Sequence, residues 1–594
     1  MKKAVIDFES YYDDQVGVSN LGNHNYFKKA DAYIVGIEID GEITAGTIAE
    51  MGPMMEQVAK DPTVQPWAAN SNFDQGWSDK YGWKFQQDWR CVLDLGVYHQ
   101  LPRDLARLSK QAIGGEMDKS IRDQMKGVRF EGLSKEEQDK VVQYCMEDVR
   151  RESLTIAALP PMSAMEEAIA AHTRLQSRRG VYVDRALVLE DKGKLQQMHH
   201  DSFKAIPWHR QAKPLSAVEL ARWCETEGIP TPRSTAKTSD ECTLLMSQHP
   251  KLNEVMLALR RYRGSNMRLT KLETLLERVT EDNILPMDLF YCGAPHTRRW
   301  SSRGFNIQNL DKEPLDCGNG TSVWTRNWIK PRPGYVFYIA DYAQVEPRVL
   351  NWLAGNDALL DAIRSGGFSY YEAYARAARG WNGAAGTIKT EYGKAKYTLL
   401  KNECLGCGFG MGAAKFVDYA AQNGAVVSMA EAQRIVGDFR RRNPKIPQLW
   451  AKMDNIIRNA ARDKDKHFAI DMPTGDTLQY FNVRQKKGGY EGFVIKGDYG
   501  HDSLQPRLWG GTLTENITQR MARDVMAEAS LRIEQGGWPV AWTSHDEIIV
   551  EVRDTEADRA AAAVELPRIM KQAPEWAPTL PLDVEATFEV CYTK

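Results

Sequence analysis

The residues best suited to chemistry in this chain are acids set where water should be scarce. In "VAWTSHDEIIVEV" (540–552), Asp546 and Glu547 stand side by side behind His545, between two apolar runs that read as strands. In "AVIDFES", Asp7 and Glu9 are two apart, so on a strand both project from one face. "NSNFD" places Asn70 four residues before Asp74, and "YCMED" puts Tyr144 and Asp148 at i and i+4, neighbours on one helix face. "GYVFYIAD" ends an apolar strand on Asp341. Any one fragment could be ordinary, since alternating polar residues often mark a solvated strand face. Together they pose a physical question, because an ionised carboxylate taken out of water loses several kcal/mol of solvation. A hard divalent cation held by carboxylate oxygens is one compensation, and it would suit chemistry on phosphates.

The order Asp7, Glu9, Asn70, Asp74, Tyr144, Asp148 resembles the three motifs of the DEDD 3′–5′ proofreading exonucleases, in their tyrosine-bearing branch. The resemblance implies an RNase H-like exonuclease domain over 1–155. It also implies that Asp7, Glu9, Asp74 and Asp148 hold two Mg²⁺ ions, with Mn²⁺ as a substitute, and that Tyr144 orients the attacking water. Such ions sit ~3.5–4 Å apart, one activating water and one stabilising the leaving oxygen. Asn70 is expected beside the single-stranded 3′ end.

"GYVFYIADYAQVEPRVLNWLAG" (334–355) resembles motif A of family A DNA polymerases, and "HDE" resembles their motif C. By that resemblance Asp341 and Asp546 bind two further metal ions, and Glu547 is a secondary ligand or positions the primer end. His545 lies near the primer terminus or is a satisfied turn histidine. "KAKYTLLKNECLGCGFGMG" (394–412) looks like motif B, with Tyr397, Lys401, Leu405 and Phe409 at four-residue steps on one helix face. A stripe of this kind is more often core packing. The lysine between motifs A and C favours a nucleotide helix, with Lys401 aligned to the residue that contacts the incoming triphosphate. Phe409 and Gly410 align with the aromatic–glycine pair near the template base. Tyr397 stands where bacterial members have arginine, and Leu405 where they have Phe or Tyr. Glycines at 406, 408, 410 and 412, each costing ~1 kcal/mol of helix propensity, predict a helix that ends or loosens near 406. Gln344 and Glu346 complete the implied dNTP site, with Glu346 crowding C2′ of the sugar and so favouring deoxynucleotides. Pro347, replacing a usual leucine, suits a first helical turn.

"HTRRWSSRGFNIQNL" (296–310) resembles the family's "TGRxSSxxPNLQN", which implies minor-groove contacts from Arg299, Asn306, Gln308 and Asn309. "LALRRYRGSNMRLTKLETLLERV" (257–279) carries Arg260, Arg261, Arg263, Arg268 and Lys271. From composition alone this is a solvated helix face; in the thumb position it would track duplex phosphates. Gln519 in "TENITQRMARD" aligns with a template contact, and Glu515 stands where bacterial enzymes have asparagine.

The elements that must position these residues are those of a mixed α/β and α+β multidomain chain. Its 594 residues suit two to four domains. Strands and helices share 1–150, and "LPPMSAMEEA" (159–168) marks a break with Ser163 as the next helix cap. Helices dominate 164–290, and strands return from 296. A Gly- and Lys-rich hairpin is expected at 473–500, followed by a helix over "TENITQRMARDVMAEASLRI" and final strands. The resemblance assigns 156–594 to a right-hand polymerase: thumb about 185–295, palm about 296–355 and 505–594, fingers about 356–504. It leaves no room before Asp7 for a 5′-nuclease domain, and the compactness is phage-like.

Lys+Arg 77 against Asp+Glu 79 gives a net charge of −2, which neither reveals nor excludes a nucleic-acid partner. Nine scattered cysteines suit a reduced compartment, and neither a signal peptide nor a membrane span is expected. The implied partners are primer–template DNA and dNTPs, with the protein a monomer in the cytoplasm, a host's if phage-encoded. Rival readings are a nuclease whose polymerase half survives only as a DNA clamp, and a non-enzymatic DNA-binding scaffold.

Overall fold

The computed structural model describes residues 1–593 other than 237, 238, 319 and 499; the side chain of Asp240 also lies outside the description. The strands Lys2–Ser10 and Ala32–Ile39 form where their apolar alternation predicts, and they pair antiparallel with Asp7 opposite Gly36. They occupy the centre of a five-stranded sheet. Glu42–Thr47 is one edge, and the parallel strands Val64–Ala68 and Arg90–Cys91 complete the other side. Ala4, Ile6 and Phe8 fill one core, while Val5 packs with Val149 of the helix Lys135–Ala158. That helix begins with a reciprocal capping box between Ser134 and Glu137. Gly36 lets it approach closely, since a Cβ there would fall 2.9 Å from Cys145 Sγ.

Ser163 caps the helix Ala164–Arg179, accepting from the Glu166 amide as its sequence position implies. Four further helices follow, of which Pro250–Arg278 is the longest and packs along Arg185–Ala205. A second antiparallel sheet has the order Val540–Ser544, Glu547–Arg553, Tyr335–Tyr342, Val584–Glu589. Beneath it runs Gly510–Gln535, nearly all buried except for a strip that includes Glu515 and Gln519. Eight helices between 345 and 462 form a body beside that sheet. The expected hairpin is Thr477–Lys486 with Gly489–Phe493, inside a four-stranded sheet.

Two polar seams join the first sheet's surroundings to the rest. Gln100, buried and left-handed at φ 56°, donates its Nε2 to the carbonyls of Gln479 (2.9 Å) and Val494 (2.8 Å). Its Oε1 accepts from the Gln479 amide and its own carbonyl from the Lys496 amide, both at 2.8 Å. Nearby, Glu166, Arg298, Asp476, Arg520 and Arg523 form a buried ionic node, with Arg298 also donating to the Tyr98 carbonyl at 2.7 Å. Arg298 holds a left-handed φ of 53°, which a non-glycine residue keeps only where its surroundings demand it. Among the described residues, no helix is long and apolar enough to cross a membrane.

Candidate active sites

The first acidic site forms where the opening strand meets the helix Lys135–Ala158. Ligand-capable oxygens of Asp7, Glu9 and Asp148 all lie within 4.8 Å of one another. Asp74, in the first turn of the helix Ser71–Lys80, is buried beside them, with one carboxylate oxygen lacking a hydrogen-bond partner. Burial pushes all four carboxyls upward, and their mutual repulsion adds to it: Asp7 raises Asp74 and Asp148, and Asp148 raises Glu9. An exclusively carboxylate donor set that repels itself fits a hard divalent cation. Tyr144, one turn before Asp148, meets that carboxylate through its hydroxyl. Asn70 caps the helix Ser71–Lys80 through its carbonyl and borders a cavity of about 950 Å³ shared with Arg103, Arg174, Arg178 and Arg278.

Two neighbours of this site escaped the sequence reading. Glu152 is fully buried with neither carboxylate oxygen hydrogen-bonded, and burial, then Asp7 and Asp74, hold its carboxyl well above the usual range. Its signal was available, because Tyr144, Asp148 and Glu152 continue one four-residue stripe. Arg122, exposed on the short helix Ser120–Gln124, supplies opposing positive charge to Asp7, Glu9 and Asp148. Nothing in the local spacing foretold it.

The second acidic site lies across the other sheet. Asp341 ends the strand Tyr335–Tyr342 directly opposite Glu547 on one side and Glu585 on the other. Directly opposed residues share a sheet face, and like charges so placed repel. Asp546 occupies the tight turn before Glu547, and its carbonyl accepts from the Tyr342 amide at 3.0 Å. The backbone is left-handed on both sides of this acid row, at Gln344 (φ 53°) and His545 (φ 55°). Tyr592 donates its hydroxyl to buried Glu547 at 3.3 Å. These acids also suit a hard cation. Glu585 was not foreseen from sequence, since its strand follows a proline-rich stretch with no strong pattern.

The residues expected at the nucleotide site lie on the helices Val345–Ala354 and Lys394–Cys407 and just beyond them. Lys401 is exposed on the helix Lys394–Cys407, with Tyr397, Leu405 and Phe409 half-buried along the same stripe, while Leu400, Cys404 and Cys407 face the core. Tyr397 and Phe409 pack against that core while Lys401 stays exposed, and the helix ends at Cys407, as the glycines predict. Lys394 and Lys396 are exposed, and Tyr397 meets Tyr371 edge-on at 5.9 Å. Gln344 accepts from the Tyr370 amide at 3.4 Å, and Pro347 sits in the first turn of Val345–Ala354. Arg299 and Glu346, expected on different substrates, form an ion pair with each other.

The remaining expected DNA contacts divide. Gln308 donates to the Thr543 carbonyl (2.8 Å), beside the "HDE" turn, and Asn306 caps the short 3₁₀ turn before it. Gln519 donates to Glu515 at 3.4 Å. Lys271 reaches the Asn309 carbonyl at 3.3 Å, and Arg268 pairs with Asp311 at 3.3 Å. Arg261 lies 3.7 Å from Asp316. Arg260 turns inward to the Thr235 and Ala236 carbonyls, whereas Arg263 is exposed.

Fold and site together define a mixed α/β multidomain protein with a row of acids across an antiparallel sheet. Residues 210–466 match the DNA polymerase family A model. The DNA polymerase of Bacillus phage SP02 is 25% identical over 510 residues, covering 77% of this chain and 76% of that protein. Among solved structures, the POL domain of Pol1 from M. smegmatis, in complex with DNA primer-template and dNTP, shares the fold with a TM-score of 0.66. Identity there is 16%, over 99% of this chain and 95% of that one.

Proposed function

We propose that this chain is a phage-type replicative DNA polymerase that extends a primer 3′-hydroxyl from dNTPs at Asp341 and Asp546, and proofreads at Asp7, Glu9, Asp74 and Asp148. The carrying observation is the convergence of acids from distant parts of the chain into two separate sites, one within the family A architecture. Mg²⁺ bound at each site would supply Lewis-acid charge for phosphoryl chemistry. At the first site Tyr144 orients the attacking water, and Asn70 steadies the single-stranded 3′ end. At the second, Lys401 and Gln344 hold the triphosphate, and Phe409 and Leu405 flank the nascent pair. Glu346 excludes the ribose 2′-hydroxyl. Arg299 exchanges Glu346 for the primer minor groove when DNA enters, and Asn306, Gln308, Asn309, Gln519 and His545 line the duplex end. Residues 1–155 act as the exonuclease domain and 156–594 as the polymerase, a monomer working in a host cytoplasm.

A labelled primer–template incubated with Mg²⁺ tests both activities at once. Asp341→Ala is expected to lose extension by about 10³-fold or more, the equivalent of several kcal/mol, and to keep 3′ degradation. Asp7→Ala should do the reverse. Loss of both activities from either change would overturn the two-site reading.

A further inference from the structure

Trp509 has no role in the function proposed above, yet its surroundings are built around it. It immediately precedes the helix Gly510–Gln535, and among the described residues it is the one aromatic ring found with the exposed large apolar side chains, at 36% exposure. Gly410 and Gly511 both back onto it: a Cβ at either position would overlap the indole, and one at Gly511 would also strike the Phe409 carbonyl. On its inner side Trp450 packs at 6.5 Å between ring centroids. Buried Trp450 in turn donates its indole N–H to the Gly408 carbonyl at 3.2 Å, so one ring anchors the chain while the other meets water. Exposed Arg440 approaches the Gly410 carbonyl at 3.5 Å, and exposed Lys415 lies within electrostatic reach of Glu515 on the same long helix.

We infer that Trp509 is a stacking platform for unpaired bases of a nucleic-acid single strand, namely the template ahead of the primer end, with Arg440 and Lys415 serving its phosphates. The inference rests on the polymerase reading. An apolar ring held open to solvent by two glycines wastes burial unless a flat partner covers it. Every base offers such a face, and stacking on an aromatic side chain contributes ~1–3 kcal/mol per base without sequence preference. Leu405, in the nucleotide helix, leaves that stripe without an aromatic at its centre, and Trp509 supplies one a few residues away in space, against Phe409–Gly410.

The test compares binding of catalytically silent Asp341→Ala protein, with and without Trp509, to primer–templates whose five-nucleotide overhang is either thymidine or abasic spacer. With Trp509 present, removing the bases should weaken binding roughly 5- to 150-fold, the range that stacking allows. With Trp509→Ala added, the thymidine overhang should bind as weakly as the abasic one, and Trp509→Phe should recover most of the difference. An undiminished abasic penalty in Trp509→Ala, or no penalty with Trp509 intact, would overturn the inference. If Trp509→Ala lacks a cooperative thermal transition, Trp509→Leu leaves a smaller gap, still offers no aromatic face, and carries the same comparison. Failure of the otherwise native protein to extend any primer would instead count against the polymerase reading.

Discussion

The two acidic sites are assembled on different plans. At the first, acids from a strand and a helix converge within 4.8 Å, with Asp74 of a second helix buried beside them and a buried glutamate with no hydrogen-bond partner behind. At the second, Glu547, Asp341 and Glu585 stand in register across three strands, with Asp546 in the adjoining turn. The first arrangement stores repulsion in the folded chain and is complete in itself. The second is partly exposed, with Asp341 and Asp546 half-buried and Glu585 exposed, as would suit the triphosphate-bound ion proposed above. Preassembly costs stability where the ion is missing, and openness costs little.

The sharpest way to break this contrast is Asp74→Asn. Degradation should fall by about 10³-fold, while melting in chelator should rise, because one of four repelling carboxylates has been neutralised. A lower melting temperature in chelator would show that the cluster is not strained. At the open site, Glu346→Ala should raise ribonucleotide incorporation roughly 10- to 200-fold relative to dNTP, the range a single steric contact commands. Its melting point should barely move, since the Arg299 pair is part-exposed and worth ~1 kcal/mol or less. Single-nucleotide incorporation with rNTP and dNTP reads the first effect and calorimetry the second.

Acidity gives a gentler probe. Asp7 is pushed up to about 6 and Asp148 to about 8, so with divalent ions chelated the folded chain keeps protons that the unfolded chain releases near pH 4. Their stabilisation is full below about pH 4 and is lost as pH rises through about 6 and then about 8. Melting temperature in chelator should therefore decline across that window, Asp148→Asn should flatten the decline, and Mg²⁺ at pH 8 should restore stability. Smallest of all, Arg263→Ala should lower the salt dependence of duplex binding by about one unit, and Arg260→Ala by almost none, because its guanidinium is engaged by carbonyls. Equal slopes for the two variants would remove the distinction between them.

Much of this could be read from the chain because the acids lie on regular elements, where period two or four fixes the face. Asp7 with Glu9 and Tyr144 with Asp148 needed no knowledge of the fold. Glu152 was missed although it continues the same helical stripe, since an acid one turn further on is ordinarily a solvated one. Glu585, Arg122 and the Arg299–Glu346 pair were beyond reach, because each depends on segments that meet only after the sheet order is settled. The curvature at Gln344 and His545 was likewise invisible, as neither residue type announces a left-handed backbone.

Gln100 carries a practical consequence. Its side-chain amide ties Gln479 in one strand to Val494 just past the next, nearly four hundred positions downstream. Trimming away the amino-terminal portion would strip that region of the four hydrogen bonds Gln100 makes and open a raw margin to aggregation. A variant lacking the proposed editing activity is better made by changing one side chain than by scissors.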